Sequence, residues 1–221
     1  MILSILAAAL LMSATAVATD YDEDDAEVAV EAPFGAGTLD ITLAAGLGNL
    51  LYPHIEPGVD LGLVNLGASV ALSLGGVVDL GYCLLCGFVS SFSGYDISSW
   101  YINPMGRALL HFGSVAQMLD EPGFDVYIGA MAGPAFYTLS SSDGANSFTA
   151  SVTTFLLGPL VGLRYSLDDT NSWFIFGEGR LLLEFGFSEI TLRSSDGQSR
   201  TYENNFGRGG NDAVFGLGRR Y

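Results

Sequence analysis

The sequence predicts an all-β fold, eight antiparallel strands closed into an up-and-down transmembrane β-barrel. Three observations predict it. Apolar and polar residues alternate along eight separate segments. Those segments run mostly 11 to 16 residues, against roughly 5–6 for an ordinary strand. The connections between them are long at one end of the expected barrel and mostly short at the other. Composition agrees with a membrane setting. Hydrophobic residues make up 49% of the 221 positions and charged residues only 14%, below the roughly 25% of soluble domains. Yet no stretch after the N-terminus runs about 20 residues without a charge or a breaker, as a membrane helix needs.

The N-terminus, "MILSILAAALLMSATAVATD", reads as a secretory signal peptide over residues 1–18. Ala16-Val17-Ala18 supplies the small-x-small cleavage site, so the mature chain is expected to start at Thr19. No Lys or Arg precedes the apolar core, which means an atypical signal or a start further upstream. No Cys stands at the cleavage point, so a lipoprotein anchor is not expected. Residues 19–36 follow as an acidic, flexible segment. "DYDEDDAEV" (20–28) holds six acids there, a run that water solvates and no core buries. Its spacing does not match an EF-hand. The barrel is expected over 37–221. A net charge of −16 excludes nucleic acid as a partner, which would need a basic footprint.

Alternate residues of a strand face opposite sides, so each segment can be tested by parity. "TLDITLAAGLG" (38–48) puts Leu39, Ile41, Leu43 and Leu47 opposite Asp40 and Thr42. "HIEPGVDLGLV" (54–64) opposes Ile55, Val59, Leu61 and Leu63 to His54, Glu56 and Asp60. "ASVALSLGGVVDLGY" (68–82) opposes Val70, Leu72, Leu74 and Val78 to Ser69, Ser73 and Asp79. "WYINPMGRALLHF" (100–112) sets Asn103, Arg107 and His111 apart from Ile102, Ala108, Leu110 and Phe112. In 124–137, Phe124, Val126, Ile128 and Phe136 oppose Asp125. In 152–167, Phe155, Leu157, Val161, Leu163 and Tyr165 oppose Thr154 and Arg164. "WFIFGEGRLLLEFGF" (173–187) keeps Glu178, Arg180 and Glu184 on even positions and its apolar run on odd ones. "NDAVFGLGRRY" (211–221) keeps Ala213, Phe215, Leu217 and Tyr221 in step. Arg219 breaks the rule and is expected to snorkel to an interface.

A soluble sandwich would also alternate. Its outer faces, however, would carry far more charge than these polar faces do. Pro104, Pro134 and Pro159 interrupt segments that should be central strands, an awkward placement in either fold. The connections 83–96, 138–151 and 193–210 are long and share one side, while "NLG" and "DDTN" on the other are tight and "GSVAQMLDEPG" is intermediate. An even strand number with this loop asymmetry is the pattern of an outer-membrane barrel. Closure is required because an unpaired backbone group in hydrocarbon costs several kcal/mol.

On these features, and on the final "AVFGLGRRY", the chain resembles the small eight-stranded bacterial outer-membrane barrels, the OmpA/OmpX/OmpW-like group. The resemblance covers roughly residues 37–221 and rests on pattern. It implies a place in the bacterial cell outer membrane, with outer-membrane lipid as surroundings. It also implies that the barrel-assembly machinery reads a C-terminal signal, here Phe215, Leu217 and Tyr221.

The lumen is then expected to hold Asp40, Asp60, Asp79, Arg107, His111, Asp125, Arg164, Glu178, Arg180 and Glu184. Eight strands leave an interior just wide enough for side chains to fill, and three Arg among six acids should pair, because unpaired buried charge is expensive. Inward Ala71, Gly75, Gly129, Gly133, Gly158 and Gly162 would leave space, which Leu156, Leu160, Met131, Phe174 and Phe176 would make partly apolar. Two readings stay open. The first is a narrow passive channel or carrier for small solutes, apolar ones among the candidates. The alternative is an envelope-stabilising or surface-interaction barrel that meets extracellular ligands through its loops.

Cys83 and Cys86 form a lone C-x-x-C, read first as an exposed loop disulfide and second as free thiols. Neither a zinc set nor a thioredoxin-type context accompanies it. No metal, cofactor or catalytic residue is expected. His54 with Glu56, or His111, could be recruited beside the many serines, but no phosphate-binding loop, dinucleotide fingerprint or nucleophile elbow is present.

Overall fold

A computed structural model describes residues 34–48, 52–66, 69–93, 96–113, 115, 123–143, 146–168, 170–185, 188–194, 198–204 and 207–221. The expected signal peptide and the acidic run up to residue 33 lie outside them. Ten strands and a helix follow in order: β1 (Leu39–Gly48), β2 (Tyr52–Asn65), β3 (Val70–Tyr82), α1 (Leu84–Ser93), β4 (Asp96–Phe112), β5 (Phe124–Ser142), β6 (Ser147–Ser166), β7 (Trp173–Phe185), β8 (Ser188–Ser194), β9 (Ser199–Asn204) and β10 (Gly207–Arg220).

Strands β1 to β7 and β10 close into a ring. Each pairs antiparallel with its neighbours, β5 pairs β6, and β1 meets β10 from Asp40↔Arg220 to Gly46↔Val214. All eight expected segments lie on these eight strands. Strands β8 and β9 are an extra hairpin outside the ring, laid against the far end of β6 from Phe148↔Ser194 to Ser151↔Thr191.

Parity decides which side each residue takes. Ile41, Leu43, Leu181, Leu183 and Phe185 point outward and are exposed, while Asp40, Thr42, Glu178 and Arg180 are buried inside. In water such an outward band would be a large exposed apolar patch; against acyl chains it is matched. Arg219 points outward as well and lies over the rings of Trp173 and Tyr221, at 5.4 and 4.9 Å. That satisfies its charge at the rim of the band.

The three prolines find their place through register. Pairing of β4 with β5 runs to Ile102↔Phe136, is interrupted, and resumes in the same register at Gly106↔Ala132. Pro104 and Pro134 therefore lie opposite one another, and the missing N–H groups fall where the ladder is broken. Pro159 sits in the matching gap between β6 and β7.

The connections differ from expectation at the end that carries them. Residues 138–151 are not an irregular loop: β5 and β6 continue as a hairpin to Ser142↔Ser147. Alternating Ser and Thr keep it extended, and Asp143 closes it by accepting from the Asn146 N–H at 2.6 Å. Most of 83–96 is α1, and 193–210 contains β9 with the ends of β8 and β10. At the opposite end the turn after β6 is built on Asp168. It accepts from the backbone N–H groups of Ser172 and Trp173 and from the Thr170 hydroxyl. Desolvation opposes the charge there, but these donors together outweigh it and hold the Asp168 carboxyl below its ordinary range.

The expected flexible segment ends in ordered residues. Gly37, at φ +86°, donates its N–H to Gly62, and Gly62 donates back to Thr38, both at 2.8 Å. A Cβ at Gly62 would stand 1.9 Å from the Gly35 carbonyl oxygen, so only glycine lets the chain approach β2 so closely. The β2–β3 register shifts by a bulge between Gly62 and Val64. This docking carries Phe34 into the barrel, where it is fully buried.

Candidate functional site

The inner face of the barrel holds the residues with chemistry. Arg107 on β4 grips Asp60 on β2 through Nε at 2.7 Å and Nη2 at 2.6 Å, and reaches Glu178 on β7 through Nη1 at 3.2 Å. Arg164 on β6 donates to Asp40 at 2.7 Å and to Asp60 at 2.8 Å. Arg180 on β7 donates Nε to Glu178 at 2.5 Å, Nη2 to Glu56 at 2.6 Å, and Nη1 to the second Glu56 oxygen. Arg220 on β10 holds both oxygens of Asp40. Tyr127 on β5 adds a hydroxyl donor to Glu178 at 3.1 Å. Four guanidinium groups thus meet four carboxylates, those of Asp40, Glu56, Asp60 and Glu178, across the width of the lumen. Charge-assisted pairs of this kind are the strong hydrogen bonds. The network need not stabilise more than an apolar filling would, but removing one member strands a buried charge.

Phe34 is buried in the lumen against this network. Its ring stacks on His111 at 4.3 Å, with the guanidinium groups of Arg164 and Arg220 5.3 and 5.2 Å from its centroid. Arg164 also lies over the rings of Tyr127 and Phe174. The other half of the interior is apolar: Val77, Met105, Leu109, Met131, Leu156 and Leu160 pack together, fully or almost fully buried. Side chains lie across several of the inward glycines. Asp60 lies across Gly75, Tyr127 across Gly162 and Phe174 across Gly218, each so close that a Cβ would fall within 2.2 Å of it. A groove of about 840 Å³ does exist, but most of its wall is outward-facing, including Ala45, Pro53, Ile55, Leu80, Trp100 and Phe215. It belongs to the lipid side.

His111 is held by two partners. Its Nδ1 lies 2.8 Å from Asp125 and its Nε2 lies 3.0 Å from the Ser73 hydroxyl. Serine, imidazole and carboxylate in that order form the relay a nucleophilic hydrolase uses. Catalysis also needs room for a reacting carbonyl beside the hydroxyl. Ser73 and His111 are both fully buried, with Phe34 stacked on the imidazole. Here the relay satisfies buried polar groups on β3, β4 and β5.

Of the remaining expected lumen residues, Asp79 is buried and accepts from the Asn103 amide at 3.2 Å. Glu184 is half-buried on the inner side of β7, toward the end bearing the long hairpins. Residues the sequence reading left out of the lumen set also line it: His54, Glu56, Asp212, Arg220 and Phe34. The first two share the even parity of Asp60, and Asp212 and Arg220 share an even parity on β10, so alternation alone could have found them. Phe34 lies in a segment with no periodicity.

Outside the membrane band, Cys83 and Cys86 are joined by a disulfide at the start of α1. Helix α1 is held to β4 by Ser90, whose hydroxyl accepts from the Ile97 N–H at 2.7 Å. It leaves Leu84, Leu85, Phe88 and Phe92 exposed. Phe215 and Leu217 on β10, and Tyr221 just beyond its end, are exposed on the outward side.

Ring, outward apolar band and charged interior together define the class by its fold: an eight-stranded antiparallel β-barrel of the transmembrane type. No protein-family model matches the chain, and no curated protein matches its sequence. Among solved structures, a major outer membrane protein from Thermus thermophilus is similar with a TM-score of 0.62 at 14% identity, over 84% of this chain and 100% of that one. The attachment invasion locus protein Ail of Yersinia pestis matches over 83% of this chain and 95% of its own, with a TM-score of 0.46 and 9% identity. CarO of Acinetobacter baumannii matches over 82% and 97%, with a TM-score of 0.45 and 12% identity.

Proposed function

We propose that the protein is a non-catalytic, closed outer-membrane scaffold that acts through its hairpin-bearing end, as an envelope-stabilising or surface-interaction barrel. One observation carries this reading: Arg107, Arg164 and Arg180 span the lumen to acids on β1, β2 and β7, with the buried ring of Phe34 against Arg164. A channel for small solutes would have to part several buried ion pairs at once. Outer-membrane lipid surrounds the apolar band, and the barrel-assembly machinery would meet the outward residues Phe215, Leu217 and Tyr221. Extracellular ligands would meet the β5–β6 hairpin, the β8–β9 hairpin and the exposed apolar stripe of α1. Refolded protein in planar lipid bilayers tests the reading. The expected result is no steady ohmic conductance above that of the bare bilayer; a reproducible unitary open state would replace the scaffold with the channel.

A further inference from the structure

The inner charges leave a remainder. Arg107, Arg164, Arg180 and Arg220 are matched by Asp40, Glu56, Asp60 and Glu178, and Asp125 is paired with His111. Besides half-buried Glu184 toward the hairpin end, two inner carboxylates among the described residues are left, Asp79 on β3 and Asp212 on β10, and both face His54 on β2. The His54 Nε2 lies 3.5 Å from Asp212 Oδ2 and 3.9 Å from Asp79 Oδ1. One donor atom from each residue lies within 4.8 Å of the others. The His54 side chain is fully buried, yet neither ring nitrogen makes a hydrogen bond among the described residues. Neither do Asp79 Oδ1, Asp212 Oδ1 and the neighbouring Asn103 Oδ1. Buried polar atoms in natural proteins nearly always have a partner. Arg180 is the described cation nearest to Asp212, at 3.7 Å, but its donors are engaged by Glu56 and Glu178.

We propose that His54, Asp79 and Asp212 form a binding site for a divalent transition-metal ion of the zinc type. The donor set is one imidazole and two carboxylates, the nitrogen-and-oxygen mixture such ions accept. With His54 neutral, a doubly charged ion cancels the two unmatched carboxylates and gives the orphaned atoms a common partner. Tetrahedral bonds of about 2.0–2.2 Å put donors about 3.3–3.6 Å apart, so the side chains need only draw in slightly. The backbone is built for the reach. His54 lies across Gly46 on β1, where a Cβ would fall 2.3 Å from Nε2, and so arrives beside Asp212 on the next strand. Asp212 keeps 11% of its side chain exposed, leaving a wetted edge for the ion's entry and for a water in the open coordination position. Asn103 donates to Asp79 and would orient its carboxylate toward the ion.

The test uses the full barrel refolded in detergent, with its gel shift on boiling as proof of folding, titrated with Co²⁺ and then Zn²⁺. One Co²⁺ per chain is expected, with visible bands that Zn²⁺ displaces. X-ray absorption of the Zn²⁺ form should show one imidazole, oxygen in the remaining positions and no sulfur. His54→Gln and Asp212→Asn should each weaken binding by at least about 100-fold, the upper end of what loss of a hydrogen bond to a ligating residue alone does. His111→Gln, which alters the only other histidine, should leave it unchanged. Absence of stoichiometric binding, sulfur in the shell (which would move the ion to Cys83 and Cys86), or full binding in folded His54→Gln would each overturn the proposal. If a variant lacks the gel shift, the stoichiometry and ligand shell of the wild-type protein decide alone.

Discussion

Arg180 and Glu56, 124 positions apart in sequence, face each other in a two-point ion pair that spans from β7 to β2, with Nη2 2.6 Å from Oε1. Arg180 also holds Glu178, its neighbour on the same strand. Replacing Arg180 by Leu therefore strands the buried Glu56 carboxylate and leaves Glu178 with Arg107 and Tyr127 alone. The expected loss is about 3–5 kcal/mol, lessened by any water that enters. Adding Glu56→Gln should return at least about 1 kcal/mol, as coupled neighbours do, whereas adding Glu184→Gln should return nothing. Urea unfolding of the barrel in lipid vesicles measures all three. Equal rescue by the two substitutions would show that Arg180 has no specific partner across the lumen.

Leu181 lies one residue along and faces lipid. Leu181→Arg should cost about 2–4 kcal/mol near the bilayer midplane, and Glu56→Gln should not relieve it. Spin labels give a direct reading of the two faces. A label at 181 should be quenched by oxygen dissolved in lipid, and one at 180 should be protected. Equal quenching would contradict the strand-in-lipid placement of β7.

Phe34 fills space against His111, Arg164 and Arg220. Phe34→Ala should destabilise by roughly 3 kcal/mol, at the low end for a buried Phe because water can take its place. It should also remove the ring current that a stack at 4.3 Å imposes on the His111 imidazole protons. Unmoved His111 resonances in the variant would mean that Phe34 does not sit there.

Ser73 has a base and an orienting acid but no access. A fluorophosphonate that labels activated serines is expected to leave the folded barrel unmodified. Covalent labelling at Ser73 would turn the relay into an active site and end the non-catalytic reading.

The disulfide Cys83–Cys86 tests which way the barrel points. With the long hairpins outside the cell, a membrane-impermeant thiol reagent should label both cysteines on intact cells after mild reduction. Labelling only after the envelope is broken would reverse the orientation.

The ring was legible because its rule is local: one residue decides its side by parity with the next, as Glu178, Arg180 and Leu181 show. The partners were not, because they lie across a lumen. Nothing near Arg180 in sequence points to Glu56, and nothing in "NDAVFG" singles out Asp212 as the companion of His54 and Asp79. The relay of Ser73, His111 and Asp125 is spread over three strands and leaves no motif. The far part of the β5–β6 hairpin is hidden from the alternation test because Ser and Thr crowd both of its strands and leave too few apolar positions to show a period. Phe34 sits in a stretch with no strand period, and its role depends on the close approach that Gly62 permits.

The cross-lumen pairs also impose an order on assembly. Glu56 belongs to the second strand of the ring and Arg180 to the seventh, and the strand that joins the two halves, β10, is the last in the chain. Until it docks, the curved sheet is open, its two edges lack partners, and Asp40 and Glu56 face water without the arginines of β6, β7 and β10, while Asp60 can already meet Arg107 across Gly75. No early hairpin can satisfy Asp40 or Glu56, since every guanidinium that binds them comes from β6 or later. A half-inserted sheet would hold uncompensated carboxylates beside hydrocarbon, which the membrane penalises heavily. The interior thus acts as a seal on completion: the final strand both closes the hydrogen-bonded circle and brings Arg220 onto Asp40. An incomplete ring stays distinguishable from a finished one by its unneutralised charge.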